Sequence, residues 1–132
     1  MAIVMANKTS KLLPQEIQVW YIIPVIRKEL SKFLVKEQGM TQKRAAKILS
    51  LTEGAVSQYL NSKRGTKVKL NEKVLEEIKV SAERISRQPS SVLGETIRLL
   101  NLKEMRDIVC DFHKKNDPSI KENCDICKRY WE

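Results

Sequence analysis

The chain has 132 residues, of which 42% are hydrophobic and 31% charged, enough apolar material for one modest core and too much for a wholly disordered chain. Lys and Arg number 25 against 16 Asp and Glu, a formal net charge of +9; the longest uncharged apolar run, Val19 to Ile26, is eight residues with Pro24 inside it, too short to cross a bilayer. Met1 to Ala6 is apolar but lacks the basic lead and the length of a secretory signal, so a cytoplasmic protein with no membrane partner is expected.

Residues 1–15, with Pro14 near their end, show no period and read as a lead-in segment. Glu16 to Ile23 (EIQVWYII) is β-branched and aromatic, compatible with a short strand or the first turns of a helix, and Pro24 argues against one unbroken ideal helix through it. After Pro24, the residues Val25, Ile26, Leu30, Phe33 and Leu34 recur at three- and four-residue spacing, predicting an amphipathic helix that ends near Gly39.

Thr41 is a capping residue, and Ala45, Ile48 and Leu49 give the helix behind it a buried side. The pattern breaks at Ser50-Leu51 and restarts at Thr52, a second cap, for a helix from Glu53 to about Leu60 with Ala55, Val56, Tyr59 and Leu60 on its apolar side. Two short helices joined by a turn of about three residues fit a helix-turn-helix. Ala46 is the small residue where the helices must cross, and Val56 fills the crossing from the other side. Charge points the same way: residues 24–69 hold eleven basic against three acidic residues, a net +8, whereas residues 70–132 are neutral with twelve of each. Such a block suits a polyanion, although a solvated cationic face kept for solubility has the same composition.

The run TQKRAAKILSLTEGAVSQYLNSKRG, Thr41 to Gly65, preceded by VWYIIPVIRKEL, resembles the phage-repressor-like helix-turn-helix transcriptional regulators, in a branch common in archaea. The similarity covers residues 16–66, and AVSQYL followed by KRG is its most specific part. Ser50 stands where the family usually has glycine, and a left-handed backbone there would cost about 1 kcal/mol. The resemblance implies sequence-specific transcriptional regulation on double-stranded DNA, homodimers on palindromic sites with half-sites about 34 Å apart, and a metal-binding C-terminal segment in many relatives.

In a helix-turn-helix the second helix enters the major groove and the first lies across the backbone. Thr52, Glu53, Gly54, Ser57 and Gln58 would then face base edges. Gln58 can read adenine bidentately, Ser57 and Thr52 can donate or accept, and Glu53 can accept from cytosine or simply serve the positive end of the helix dipole. Gln42, Lys43, Arg44, Lys63 and Arg64 would hold phosphates, which positions the protein without specifying sequence. Tyr59 shares a side with Val56 and Leu60 and reads as core rather than as a stacking residue.

Asn71 is expected to cap a helix carrying the stripe Val74, Ile78, Ala82 and Ile85, with Leu70 and Leu75 as a hydrophobic staple. Gln88-Pro89-Ser90 interrupts it, and a helix from about Ser91 to Leu100 follows with Leu93, Ile97 and Leu100 along one side. The apolar stripes between Leu70 and Leu100 are where a dimer surface would lie. Asn101 reads as the next cap, with Glu104 completing a capping box and Leu100 and Met105 a staple, for a last helix to about Lys114.

All three cysteines and the single histidine fall in the last 23 residues, as Cys110-x2-His113 and Cys124-x2-Cys127. Cys110 and His113 share one helical face, Asp117-Pro118 breaks the helix and lets the chain return, and Cys124-x-x-Cys127 can grip one ion. Cys3His is the ligand set of a closed structural zinc site, worth on the order of 10 kcal/mol to a tail with little core. An iron-sulfur cluster on the same residues would make the chain a redox or iron sensor, and buried cysteines with no metal are the third reading. An enzyme is not expected. The zinc-deaminase signature fails at Lys115 and Asn123, a Cys/His nucleophile pair lacks a visible orienting group, and four glycines form no phosphate loop.

The sequence thus predicts an all-α chain. Its expected order is a lead-in (1–15), a phage-repressor-like helix-turn-helix DNA-binding domain (16–69), a helical linker or dimerisation region (70–101) and a small Cys3His metal-binding tail (102–132). A helical protein-interaction module that never touches DNA is the alternative from another class.

Overall fold

The computed structural model describes residues 12–130, and every regular element among them is helical. Met1 to Ala6 and most of the lead-in lie outside the described residues. No helix among those described is long and apolar enough to cross a membrane.

A long helical rod opens the chain. Pro14 starts it, two residues inside the expected lead-in, as α1 (Pro14–Ile17); a π turn (Gln18–Ile22) leads into α2 (Ile23–Lys32), and a second π turn (Phe33–Glu37) ends the rod. The stretch before Pro24 is therefore helical and not a strand. The π turn explains how. Proline lacks an N–H and its ring crowds the carbonyl four residues back, so the turn widens and Ile23 N–H donates to Gln18 O, five residues back. Gly39, at φ 72°, then reverses the chain, with Met40 N–H returning to Leu34 O at 3.0 Å.

Next come α3 (Gln42–Leu49) and α4 (Glu53–Leu60), both packed against α2. Thr41 Oγ1 accepts from Arg44 N–H at 3.1 Å and Thr52 Oγ1 from Ala55 N–H at 3.0 Å, so each helix begins at the expected cap. Between them Ser50 takes the left-handed conformation, φ 56° and ψ 43°, and Leu51 N–H closes the turn on Ala46 O at 2.8 Å. Ala45, Ala46 and Leu49 of α3 and Ala55, Val56 and Tyr59 of α4 are buried, whereas Ile48 and Leu60 are half-buried.

Asn71 caps α5 (Glu72–Arg87) by accepting from Val74 N–H at 2.9 Å, and Val74, Ile78, Ala82 and Ile85 are fully buried as the spacing predicts. After a 3-10 turn (Pro89–Ser91), α6 (Val92–Leu100) differs from expectation: Leu93 is 70% and Ile97 50% exposed, and Leu99 is the buried residue. A polar cluster turns the helix this way. Arg98 Nη1 donates to Glu77 Oε1 at 2.6 Å, Arg98 Nη2 to Ser81 Oγ at 2.8 Å, and Ser81 Oγ to Glu95 Oε1 at 2.8 Å, so Glu95 and Arg98 must face α5 and the Leu93–Ile97 stripe must face out. Asn101 does not cap the next helix. Its side-chain amide donates back to Ile97 O at 2.9 Å, closing the end of α6, and α7 (Lys103–Asn116) begins after Leu102 without a side-chain cap.

Met105 and Val109 of α7 complete a single hydrophobic cluster that also holds Ile17, Ile22, Ile26, Leu30 and Leu34 of the rod and the buried stripe of α5. Each such aliphatic side chain contributes about 1.5–3 kcal/mol. The cluster draws residues from each of the segments 16–69, 70–101 and 102–132. Tyr21 and Phe112 seal its edge, with ring centroids 4.6 Å apart.

Candidate nucleic-acid interface and metal cavity

The outer side of α4 is polar because its period leaves it so. With Ala55, Val56 and Tyr59 turned into the fold, Thr52, Glu53, Gly54 and Gln58 are exposed, and Ser57 is half-buried. The Thr52 hydroxyl already accepts the capping bond, which leaves its hydrogen to donate outward. Ser57 Oγ accepts from Asn61 Nδ2 at a long 3.5 Å. Gly54 offers a surface without a Cβ, and one added there would meet only Thr52 Oγ1 at 3.9 Å. Tyr59 is 3% exposed and belongs to the core.

Cations frame this surface. Gln42, Lys43 and Arg44 are exposed on the first turn of α3, and Lys63 and Arg64 on the loop after α4. None of those four cations makes an ion pair among the described residues, while Lys73, Lys79, Arg84, Arg98 and Arg129 of the neutral half all do. Lys47, exposed on the last turn of α3, extends the row, and its membership of the basic block is the sequence signal that marks it. The loop is held by Ser62 at φ 57° and Gly65 at φ 68°, and at Gly65 an added Cβ would stand 2.7 Å from Pro24 O.

Cys110 and His113 on α7 and Cys124 and Cys127 on the returning tail line one cavity of about 370 Å³, together with Val109 and Ile120. Cys127 lies in α8 (Ile126–Tyr130). The expected turn at Asp117-Pro118 is present: Asp117 ends α7, and Ile120 N–H donates to Asp117 O at 3.1 Å. Burial pushes the Cys127 thiol above its ordinary range, and the neighbouring Cys110 and Cys124 push it further, because thiolates gathered in one place disfavour one another. His113 Nε2 is buried without a hydrogen-bond partner among the described residues. Three thiols that feel one another and an imidazole lining the same cavity suit a soft cation. Among the described residues, no three of these donors already converge closely enough to hold an ion.

Sequence reasoning missed Asp117, which is 4% exposed and places its Oδ2 3.8 Å from His113 Nε2. Asp117 lies just past the end of α7 with extended backbone, so helical spacing from His113 did not mark it.

Comparison with protein-family models, with curated proteins and with solved structures gave no match.

Proposed function

We propose that α3 and α4 are the helix-turn-helix of a sequence-specific, double-stranded-DNA-binding transcriptional regulator of phage-repressor-like fold, acting in the cytoplasm and without enzymatic activity. The observation that carries this reading is the pairing of an exposed polar face on α4 with flanking cations that have no protein partner among the described residues. Thr52, Ser57 and Gln58 would read base edges, with Gly54 permitting close approach and Glu53 serving the helix terminus or a cytosine. Gln42, Lys43, Arg44, Lys63 and Arg64 would hold phosphates. Two copies would join through the outward Leu93–Ile97 stripe of α6, an apolar strip in need of cover.

The tail is proposed to hold zinc through Cys110, His113, Cys124 and Cys127, a Cys3His set that would tie residues 124–127 to α7. A closed zinc site supplies folding energy rather than reactivity. An iron-sulfur cluster on the same three cysteines and histidine, and with it redox or iron sensing, is the second reading. Visible absorption and metal content of protein purified without oxygen separate the two: a colourless chain with one zinc rejects the sensor.

Titration of labelled genomic fragments at two salt concentrations tests the DNA reading. With about six phosphates neutralised, log affinity should fall against log salt with a slope near −5. Absence of retained fragments and of any salt slope overturns it in favour of a helical protein-interaction module.

A further inference from the structure

His113 is the one histidine of the chain, and its side chain is 12% exposed. Its Nε2 faces Oδ2 of Asp117, one helical turn onward, at 3.8 Å, an ion-pair separation longer than a hydrogen bond. The carboxylate is itself held. Asp117 Oδ1 accepts from Ser119 N–H at 3.0 Å and from Ser119 Oγ at 2.6 Å, so the turn after α7 orients the group and sets Oδ2 toward the imidazole.

An imidazole has two nitrogens, and a carboxylate beside one decides which of them remains for a metal. With Nε2 turned to Asp117, Nδ1 is the nitrogen left to the cavity that Cys110, Cys124 and Cys127 also line. We propose that Asp117 is a positioning residue of the metal cavity, accepting the Nε2 hydrogen so that His113 ligates through Nδ1. The inference rests on the reading of that cavity as a metal site and deepens it.

Because the chain has one histidine, a long-range 1H–15N correlation spectrum of the reduced, 15N-labelled full chain contains a single ring pattern. Added zinc is expected to move Nδ1 to the metal-bound range and leave Nε2 protonated. Asp117→Ala is expected to weaken zinc binding by about 10–100-fold in competition with a chromophoric chelator, and Asp117→Asn, whose oxygen can keep the Ser119 bonds while its NH2 presents a donor to Nε2, to lose affinity as well. Ser119→Ala removes the hydroxyl contact but retains both Asp117 oxygens. With the Ser119 N–H still on Oδ1, zinc affinity should fall by less than in Asp117→Ala; unreduced affinity in Asp117→Asn would show that Asp117 serves the turn and not the ring, and overturns the inference. Zinc held through Nε2, or undiminished affinity in Asp117→Ala, overturns the inference and leaves the metal reading standing. No zinc uptake by the unaltered chain overturns both.

Discussion

Arg98 on α6 reaches Glu77 on α5 across 2.6 Å and, through the same guanidinium, the buried Ser81 hydroxyl at 2.8 Å. The hydrogen bond from Arg98 is the largest influence holding the Glu77 carboxyl below its usual 4.5. For Glu95, burial works in the opposite direction, but the bonds from Ser81 and Arg98 outweigh it and keep that carboxyl low as well. Carboxylates held low in the folded chain contribute stability that is present above 4.5 and is lost as the pH falls through their folded values. Arg98→Met should therefore lower unfolding free energy by about 1–3 kcal/mol at neutral pH. It should also flatten the decline of stability between neutral and acid pH, read from urea midpoints across that range.

Gln58 and Lys63 are both exposed, but on the proposed reading they do different work. Gln58→Ala should reduce the ratio of operator to random-duplex affinity by about 5- to 150-fold, the equivalent of about 1–3 kcal/mol. Lys63→Ala should weaken every duplex alike and make the salt slope shallower by about one. Competition binding with both duplexes checks the pair; an equal loss on both for Gln58→Ala would mean that the helix reads DNA in another register.

Ser50 bears the strain of the turn between α3 and α4 at φ 56°. Ser50→Gly removes the Cβ penalty and should raise stability by up to about 1 kcal/mol, because the looser unfolded chain takes back part of the gain. A rise in the denaturant midpoint with unchanged DNA affinity is the expected result.

Gly65 is the opposite case. A Cβ there would press to 2.7 Å from Pro24 O and 3.1 Å from Lys28 Cβ, and the backbone already sits at φ 68°. Gly65→Ala should cost about 2 kcal/mol or more by combining steric conflict with conformational strain. The loop carrying Lys63 and Arg64 should lose hydrogen-exchange protection first.

Features governed by neighbours in sequence were legible before the structure. Thr41, Thr52 and Asn71 cap their helices because a short side chain meets an N–H three residues on, whatever surrounds it. The buried stripe of α5 follows from period alone. Longer-range relationships were not legible. The face α6 presents is decided by Glu95 and Arg98 meeting Glu77 and Ser81 on α5, a pairing that the period of α6 does not announce. Asn101, expected to cap the following helix, instead closes α6 with its amide on Ile97 O. Pro24 marked an irregularity, but only the wide turn at Gln18–Ile22 shows how the helix continues through it. At the candidate sites, the outward and inward sides of α4 and the gathering of the cysteines with His113 could be read from spacing, whereas the approach of Asp117 to that histidine needed coordinates.

Because Met105 and Val109 of α7 share a core with Ile17, Ile22 and Ile26, α7 and the N-terminal rod are mechanically one object. A chain cut after Lys69 would strip part of the cover from those isoleucines and is expected to be less stable than the full chain, read from its denaturant midpoint. By the same connection, any ligand that braces α7 should make α2 harder to melt, in a single transition and without touching it.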